Sequence, residues 1–270
     1  MTMEWQEESG EIELGLVGST SVEEDRGTGN LTKLHLTKLG SRPYRCPEIV
    51  TAWWRLRSTY ESVTGLFDTL YLVRRTRAST NNSSTRGRLS SDAQDLLRAA
   101  IVFTSAGVDA SMQALIEYAA PSLILHNETA KKRFEVFVDQ QVRAPKVADE
   151  FVSALKHRDP HDQMVQLYIA SLTRASFQGS GDLRDRAAGA LGISNKQIPK
   201  GRFTALNPFF AARNEVAHHL DLQNGAAADA KPPRIPRTQE AIGPMCNEAL
   251  LMVCDLIKAT AANLSMCRTR

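Results

Sequence analysis

Apolar residues recur every three or four positions along most of the chain from Pro47 onward. This spacing places them on one face of a helix and predicts a series of amphipathic helices. The first is expected from Pro47 to about Arg77. The second is expected from Ser91, where Ser-x-x-Gln has the form of a capping box, to a break at Pro121. Further helices are predicted at about 127–143, 146–157, 161–177 and 182–192. Three more are expected to begin after a second capping box at 194–197, beyond 207–208 and at about Thr238.

The order of these elements predicts an all-α helical bundle, because no alternation of strands and helices is convincing. Residues 1–42 differ from the rest, since they are rich in Gly, Ser, Thr and charged residues. We expect them to form a mobile, flexible N-terminal arm, in which only LTKLHLTKL shows the short alternation of a strand. Residues 43–270 are then the helical domain.

The composition excludes several classes of protein. The four cysteines, at 46, 246, 254 and 267, have no zinc-binding spacing, and we expect reduced thiols. The N-terminus is acidic and lacks a secretory signal, and eighteen uncharged apolar residues never occur together. These features predict a cytoplasmic protein with no membrane partner.

Charge is distributed unevenly along the chain. Residues 1–30 contain eight acids and one Arg, whereas residues 31–89 contain eleven Lys or Arg and three acids. The basic segment is suited to phosphate backbones. A solvated helix end followed by a loop has the same composition, so this alternative stays open.

The candidate chemistry lies in RNEVAH at 213–218. On a helix, Asn214 and His218 lie on one face, so the amide is expected to orient the imidazole. Arg213 and His218 lie about 140° apart around the axis. Both converge on one phosphate more easily if a second copy of the helix faces the first across a two-fold axis.

An imidazole and a guanidinium suffice for RNA cleavage without a metal or another cofactor. Histidine titrates near neutrality and can accept the proton of a ribose 2′-OH or protonate the leaving 5′-oxygen. Arginine stays charged and can bind the phosphate, stabilising the added negative charge of the transition state. R-x4-H also arises by chance, and Arg213 could instead pair with Glu215, Glu117 or Asp109.

RNEVAH resembles the R-N-x-x-A-H form of the R-x(4–6)-H signature of HEPN domains, the "higher eukaryotes and prokaryotes nucleotide-binding" family. The apolar segment LLRAAIVFTSAGVDASMQALIEYAAPSL is similar to the long second helix of its RiboL-PSP-like branch, in which an Asp lies mid-helix as Asp109 does. The resemblance extends over about residues 47–265, with extra helices inserted at about 127–200. It implies an all-α homodimer with a composite cleft between two motif helices.

The resemblance also implies a function and roles for individual residues. It implies an endoribonuclease that cleaves RNA by 2′-OH transesterification, as a toxin or in prokaryotic antiviral defence, with an antitoxin or another defence-system protein as a partner. Arg213 would polarise the scissile phosphate, Asn214 is the polar residue that follows it, and His218 would be the general acid/base. Asp109 is expected to brace Arg213 or Asn214, and His219 to have a supporting or solvent-exposed role.

Other interpretations stay open. The chain could be a non-catalytic HEPN module that binds nucleic acid or a protein partner, or an ordinary helical interaction domain in which R-x4-H is fortuitous. Trp53 and Trp54 could stack on bases, although their spacing favours the core. His157 and His161 have the spacing of a metal site, but Pro160 between them favours a polar turn.

Overall fold

The computed structural model describes residues 31–80, 89–223 and 232–268, and the backbone of residues 21–25. The described residues confirm the predicted all-α helical bundle. The helices are α1 Val50–Thr80, α2 Ser91–His126, α3 Glu128–Val142, α4 Asp149–Leu155, α5 Pro160–Thr173, α6 Lys200–Thr204, α7 Asn207–His219 and α8 Gln239–Arg268. A 3₁₀ turn at Pro47–Ile49 precedes α1, and a π-helical segment at Asp182–Ala188 lies between α5 and α6.

Helix α2 is the central element of the bundle. It packs against α1, α3, α5, α7 and α8. Because neighbours surround it, residues on several of its faces are apolar and fully buried, among them Ala100, Leu115, Ile116 and Ala120. Side chains of α2 can therefore reach most of the other helices, including the one that carries RNEVAH.

The start of α2 differs by one residue from the predicted capping box. Ser90, not Ser91, is the N-cap, and its hydroxyl accepts a hydrogen bond from the backbone N–H of Ala93. The side chain of Gln94 does not complete a box, because its amide nitrogen donates to the carbonyl of Leu89, 2.9 Å away. The capping-box assignment at 91–94 is therefore wrong in register.

The predicted end of α2 at Pro121 is also wrong. The helix continues through this proline to His126, and Asn127 then caps α3. Proline removes one helical hydrogen bond, but Leu123 and Ile124 in the following turn are buried in the core. We infer that this packing outweighs the lost hydrogen bond.

The second predicted capping box forms its hydrogen bonds without starting a helix. The Ser194 N–H donates to Gln197 Oε1 at 2.9 Å, and the Gln197 N–H donates to Ser194 Oγ at 3.3 Å. These reciprocal bonds close a turn, and α6 begins three residues later, after Pro199.

A two-stranded antiparallel ribbon precedes the helices. Strand β1, Ser21–Asp25, pairs with β2, Leu31–His35, so that Ser21 lies opposite His35 and Asp25 opposite Leu31. The prediction of a flexible arm is wrong for residues 31–39, in which four leucines are buried, namely Leu31, Leu34, Leu36 and Leu39. Residues 1–20 and 26–30, which the prediction also covers, lie outside the described residues.

Polar contacts hold residues 31–39 on α1 and α8. The Tyr60 hydroxyl donates to the Leu36 carbonyl at 3.2 Å, and the Thr37 N–H donates to Asn247 Oδ1 at 2.8 Å. Gly243 of α8 leaves the space that Leu34 occupies, since a methyl group there would lie 2.4 Å from Leu34 Cδ1. The leucines of LTKLHLTKL thus extend the core beyond the helices.

Helices α2 and α8 are each long and apolar enough to cross a membrane, judged by length and composition alone. In their most apolar stretches, however, 61% and 56% of the residues are buried inside the bundle. Buried core helices pass the same test, so the absence of a membrane partner stays a prediction.

The four cysteines are free thiols, as expected. Burial, together with the nearby Glu48 carboxylate, raises the pKa of Cys46 to about 11. Burial raises the pKa of Cys246 to about 12. Both groups are therefore protonated and unreactive at neutral pH.

Candidate functional site

RNEVAH lies on α7, as the sequence predicts. Pro208 is in the first turn of this helix, where its missing N–H costs nothing. Phe209, Ala212 and Val216 follow at spacings of three and four, and all are buried. This apolar face packs α7 against α2 and α8 and fixes the positions of the motif residues.

Arg213 is held at the interface between α7 and α2. Its Nε–H donates to Ser105 Oγ at 3.1 Å, and its Nη1 donates to Asn214 Oδ1 at 2.9 Å. Arg213 is half-buried, and its Nη2 has no hydrogen bond to any residue that the structure describes. The guanidinium is thus oriented by two neutral oxygens and keeps donors for an anionic ligand.

Asn214 does not orient His218, so the expectation from their four-residue spacing is wrong. Its amide oxygen accepts from Arg213 instead, and no hydrogen bond joins Asn214 to His218 in the described part of the chain. The adjacent guanidinium is a charged donor and makes the stronger hydrogen bond. Asn214 is therefore part of the support of Arg213.

His218 and His219 lie in the last turn of α7, and both are exposed. Within the described ranges, neither imidazole has a hydrogen-bond partner. Both imidazoles are accordingly open to a ligand or to a second protein chain.

Helix α7 ends in an unusual backbone conformation. Leu220 and Asp221 both have positive φ, 51° and 60°. The Asp221 N–H donates to the Glu215 carbonyl at 3.0 Å and satisfies a carbonyl at the end of the helix. Non-glycine residues rarely adopt this conformation, so other contacts must hold it.

The buried Asp221 carboxylate supplies those contacts. It accepts from Arg98 Nε at 2.8 Å and from Arg237 Nε at 2.9 Å. Burial acts most strongly on its pKa and favours the neutral acid, but the hydrogen bonds and charges of the two arginines outweigh burial and lower the pKa. Asp221 therefore stays ionised and ties the end of α7 to α2 and to the segment before α8.

Three polar side chains of α2 share one face, at spacings of seven and four residues. They are Arg98, Ser105 and Asp109, and we call them the polar stripe. Because Arg98 binds Asp221 while Ser105 binds Arg213, α7 runs antiparallel to α2. The stripe is visible in the sequence as a row of polar residues in an apolar helix, but of the three only Asp109 was predicted to support the site.

Asp109 does not brace Arg213 or Asn214, so this expectation is wrong. Its carboxylate accepts from the Phe177 N–H at 2.8 Å and from Gln113 Nε2 at 3.0 Å. The Arg186 guanidinium lies over the Phe177 ring, 4.4 Å from its centroid. Asp109 thus anchors the segment after α5 and is a structural residue in this chain.

The remaining candidates have varied outcomes. His157 lies in the turn between α4 and α5, where its Nδ1 accepts from the Asp159 N–H, and this confirms the polar turn. No metal-binding group of His, Cys, Asp or Glu occurs among the described residues.

The two adjacent tryptophans differ in burial. Trp53 is buried as expected, whereas Trp54 is 56% exposed and does not belong to the core.

The arrangement offers one fixed guanidinium and two open imidazoles, those of His218 and His219, on a single helix. Comparison with known proteins finds no matching family model, no similar curated protein and no similar solved structure.

Proposed function

We propose that this protein is a metal-independent endoribonuclease that acts as a homodimer in prokaryotic antiviral defence or as a toxin. The observation that carries the proposal is the orientation of Arg213 by Ser105 and Asn214, on the helix that also presents an exposed His218. The sequence RNEVAH, with its resemblance to HEPN domains, adds the reaction class.

The proposed reaction is transesterification at a phosphodiester. The ribose 2′-oxygen forms a bond to phosphorus while the bond from phosphorus to the 5′-oxygen breaks. His218 accepts the 2′-OH proton or donates a proton to the leaving 5′-oxygen, and water or His218 of the second copy makes the other transfer. The free donors of Arg213 bind the non-bridging oxygens and stabilise the charge that builds up on them.

A homodimer would bring an arginine and a histidine to the same phosphate more easily than one copy of the motif can. Arg213 and His218 are about 140° apart around α7, so one phosphate is reached more easily from two helices than from one. A two-fold axis beside α7 would bring Arg213 of one copy toward His218 of the other. Light scattering of the purified protein tests this, since the proposal expects the mass of a dimer.

Cleavage of labelled RNA in the presence of EDTA tests the activity. Wild-type protein should cut, whereas Arg213→Ala and His218→Ala should each cut about a hundredfold more slowly or not at all. Arg143→Ala and His157→Ala remove the same residue types from sites outside α7 and should leave the rate unchanged. Equal rates in all four variants would refute the assigned roles.

A second candidate is a non-catalytic module that binds nucleic acid or a protein partner. One observation favours it, namely that His218 has no hydrogen bond to orient it within the described residues. This candidate predicts that wild-type protein binds RNA and yields no products, with or without divalent metal.

A further inference from the structure

An open groove lies between α1 and α2, on a different face of α2 from the polar stripe. Its volume is about 580 Å³, within the range of small-ligand sites, about 300–1,000 Å³. Ala106 lines the groove and directly follows Ser105, whose hydroxyl holds Arg213. Successive residues of a helix are about 100° apart, so the α2 residues that line the groove lie about 100–160° around the helix from Ser105, and the groove and the Arg213 contact occupy different faces of α2.

Two large aromatic residues line this groove and are exposed to solvent. Trp54 of α1 is 56% exposed and Phe103 of α2 is 52% exposed. Nothing in the described part of the chain packs over them. Exposed aromatic residues clustered in a concave surface indicate a binding site for a flat or apolar ligand.

The polar groups of the groove favour a nucleotide over an apolar peptide. Arg55 donates from Nη1 to the Ala110 carbonyl at 2.8 Å, which fixes the guanidinium and leaves its other donors free. The hydroxyls of Thr51, Ser58 and Ser62 have no hydrogen bond to the described residues. No acidic side chain is among the residues that line the groove. A fixed cation, free hydroxyls and aromatic rings are the groups that bind single-stranded nucleic acid.

We infer that this groove binds an unstacked base of single-stranded RNA against Trp54 and Phe103, with Arg55 near the backbone phosphate. The inference rests on the proposed function for the identity of the nucleic acid. Double-stranded RNA keeps its bases stacked and should not fill the groove. The groove would then be an additional binding surface for single-stranded RNA, on a face of α2 other than the one that contacts Arg213.

Anisotropy of a labelled short oligouridine tests the groove without cleavage. All variants are made in a His218→Ala background and measured in EDTA. Trp54→Ala and Phe103→Ala should each weaken binding about fivefold to a hundredfold, and Trp54→Phe should restore most of the affinity because it keeps an aromatic ring. Leu72→Ala, which truncates an exposed apolar residue of α1 outside the groove, should have no effect.

Two outcomes would overturn the inference. One is unchanged oligouridine affinity in both Trp54→Ala and Phe103→Ala. The other is conversion of a dimer to a monomer by these variants in light scattering, which would make the groove a contact between copies of the chain. A different result would refute the proposed function alone. If wild-type protein binds RNA through the groove but never cuts it, the cleavage assignment fails and the groove assignment stands.

Discussion

Arg213 and Ser105 are joined by a hydrogen bond of 3.1 Å between helices α7 and α2. The two residues are 108 positions apart in the sequence. This contact directs the guanidinium that the proposed reaction requires. Ser105 is a positioning residue in this account, because it acts on the substrate only through Arg213.

Ser105→Ala should reduce RNA cleavage without unfolding the protein. Loss of one hydrogen bond of ordinary strength predicts a fall in kcat/KM of about two- to tenfold. Ser111→Ala is the matched control, because Ser111 is also a buried serine of α2 and its hydroxyl has no partner among the described residues. Initial rates in EDTA compare the two variants, and an equal loss in both would show that Ser105 has no specific role.

Asp221→Asn should destabilise the protein strongly, because it removes the counter-charge of the largely buried Arg237 and leaves Arg98 with only its ion pair to Asp95. Removal of one partner of a buried ion pair costs about 3–5 kcal/mol. Asp92→Asn is the control, since the Asp92 side chain is 80% exposed and its surface ion pair contributes about 1 kcal/mol or less. Urea denaturation at neutral pH measures both differences.

The stabilisation by Asp221 should depend on pH in a defined direction. Its pKa is lowered in the folded protein, so the folded state binds fewer protons than the unfolded state. The stabilisation by Asp221 is therefore fully present well above about pH 4, which is near the ordinary pKa of an aspartate. It decreases as the pH falls toward the lowered pKa. The stability difference between wild type and Asp221→Asn should shrink over that acidic range, and a constant difference would contradict the assigned ionisation.

Gly107→Ala tests the close approach of α1 and α2 beside the groove. A methyl group at Gly107 would lie 2.1 Å from Thr59 Oγ1 and 2.5 Å from Thr59 Cβ. Overpacking of this kind costs about 1–3 kcal/mol. Thr59→Ala should recover part of the loss, because it removes two of the three clashing atoms.

Gly65→Ala is the control for this pair. Nothing lies within 4 Å of a methyl group at Gly65, which is also in a helix. Replacement of a helical glycine should then stabilise the protein by about 0.5–1 kcal/mol. Thermal melting of Gly107→Ala, Thr59→Ala, the double variant and Gly65→Ala measures these stability changes. Additive effects of Gly107→Ala and Thr59→Ala in the double variant would rule out direct contact.

The fold was largely predictable because helix formation depends on local spacing. The apolar periodicity of α1, α2 and α8 identified these helices, and the residues that follow 207–208 form α7 as predicted. The end of α2 was not predictable from Pro121, because burial of Leu123 and Ile124 outweighs the local effect of proline. Likewise, the leucines of residues 31–39 became part of the core only through contacts with distant helices.

The candidate site was predictable in position but not in its hydrogen bonds. Helical spacing placed Arg213 and His218 on one helix, and this is confirmed. The partner of Asn214 and the partners of Asp109 depend on which side chains tertiary packing brings near. Phe177, which binds Asp109, is 68 residues away, and no local pattern indicates that contact.

The chemical ends of the RNA products test the central claim most directly. Attack by the ribose 2′-oxygen, with His218 transferring protons and Arg213 stabilising the phosphate, must yield a 2′,3′-cyclic phosphate and a 5′-hydroxyl. Mass spectrometry of RNA fragments produced in EDTA should therefore find these two ends in wild-type reactions and no fragments with Arg213→Ala or His218→Ala. Fragments with 5′-phosphate ends, or no cleavage by wild-type protein, would contradict the account.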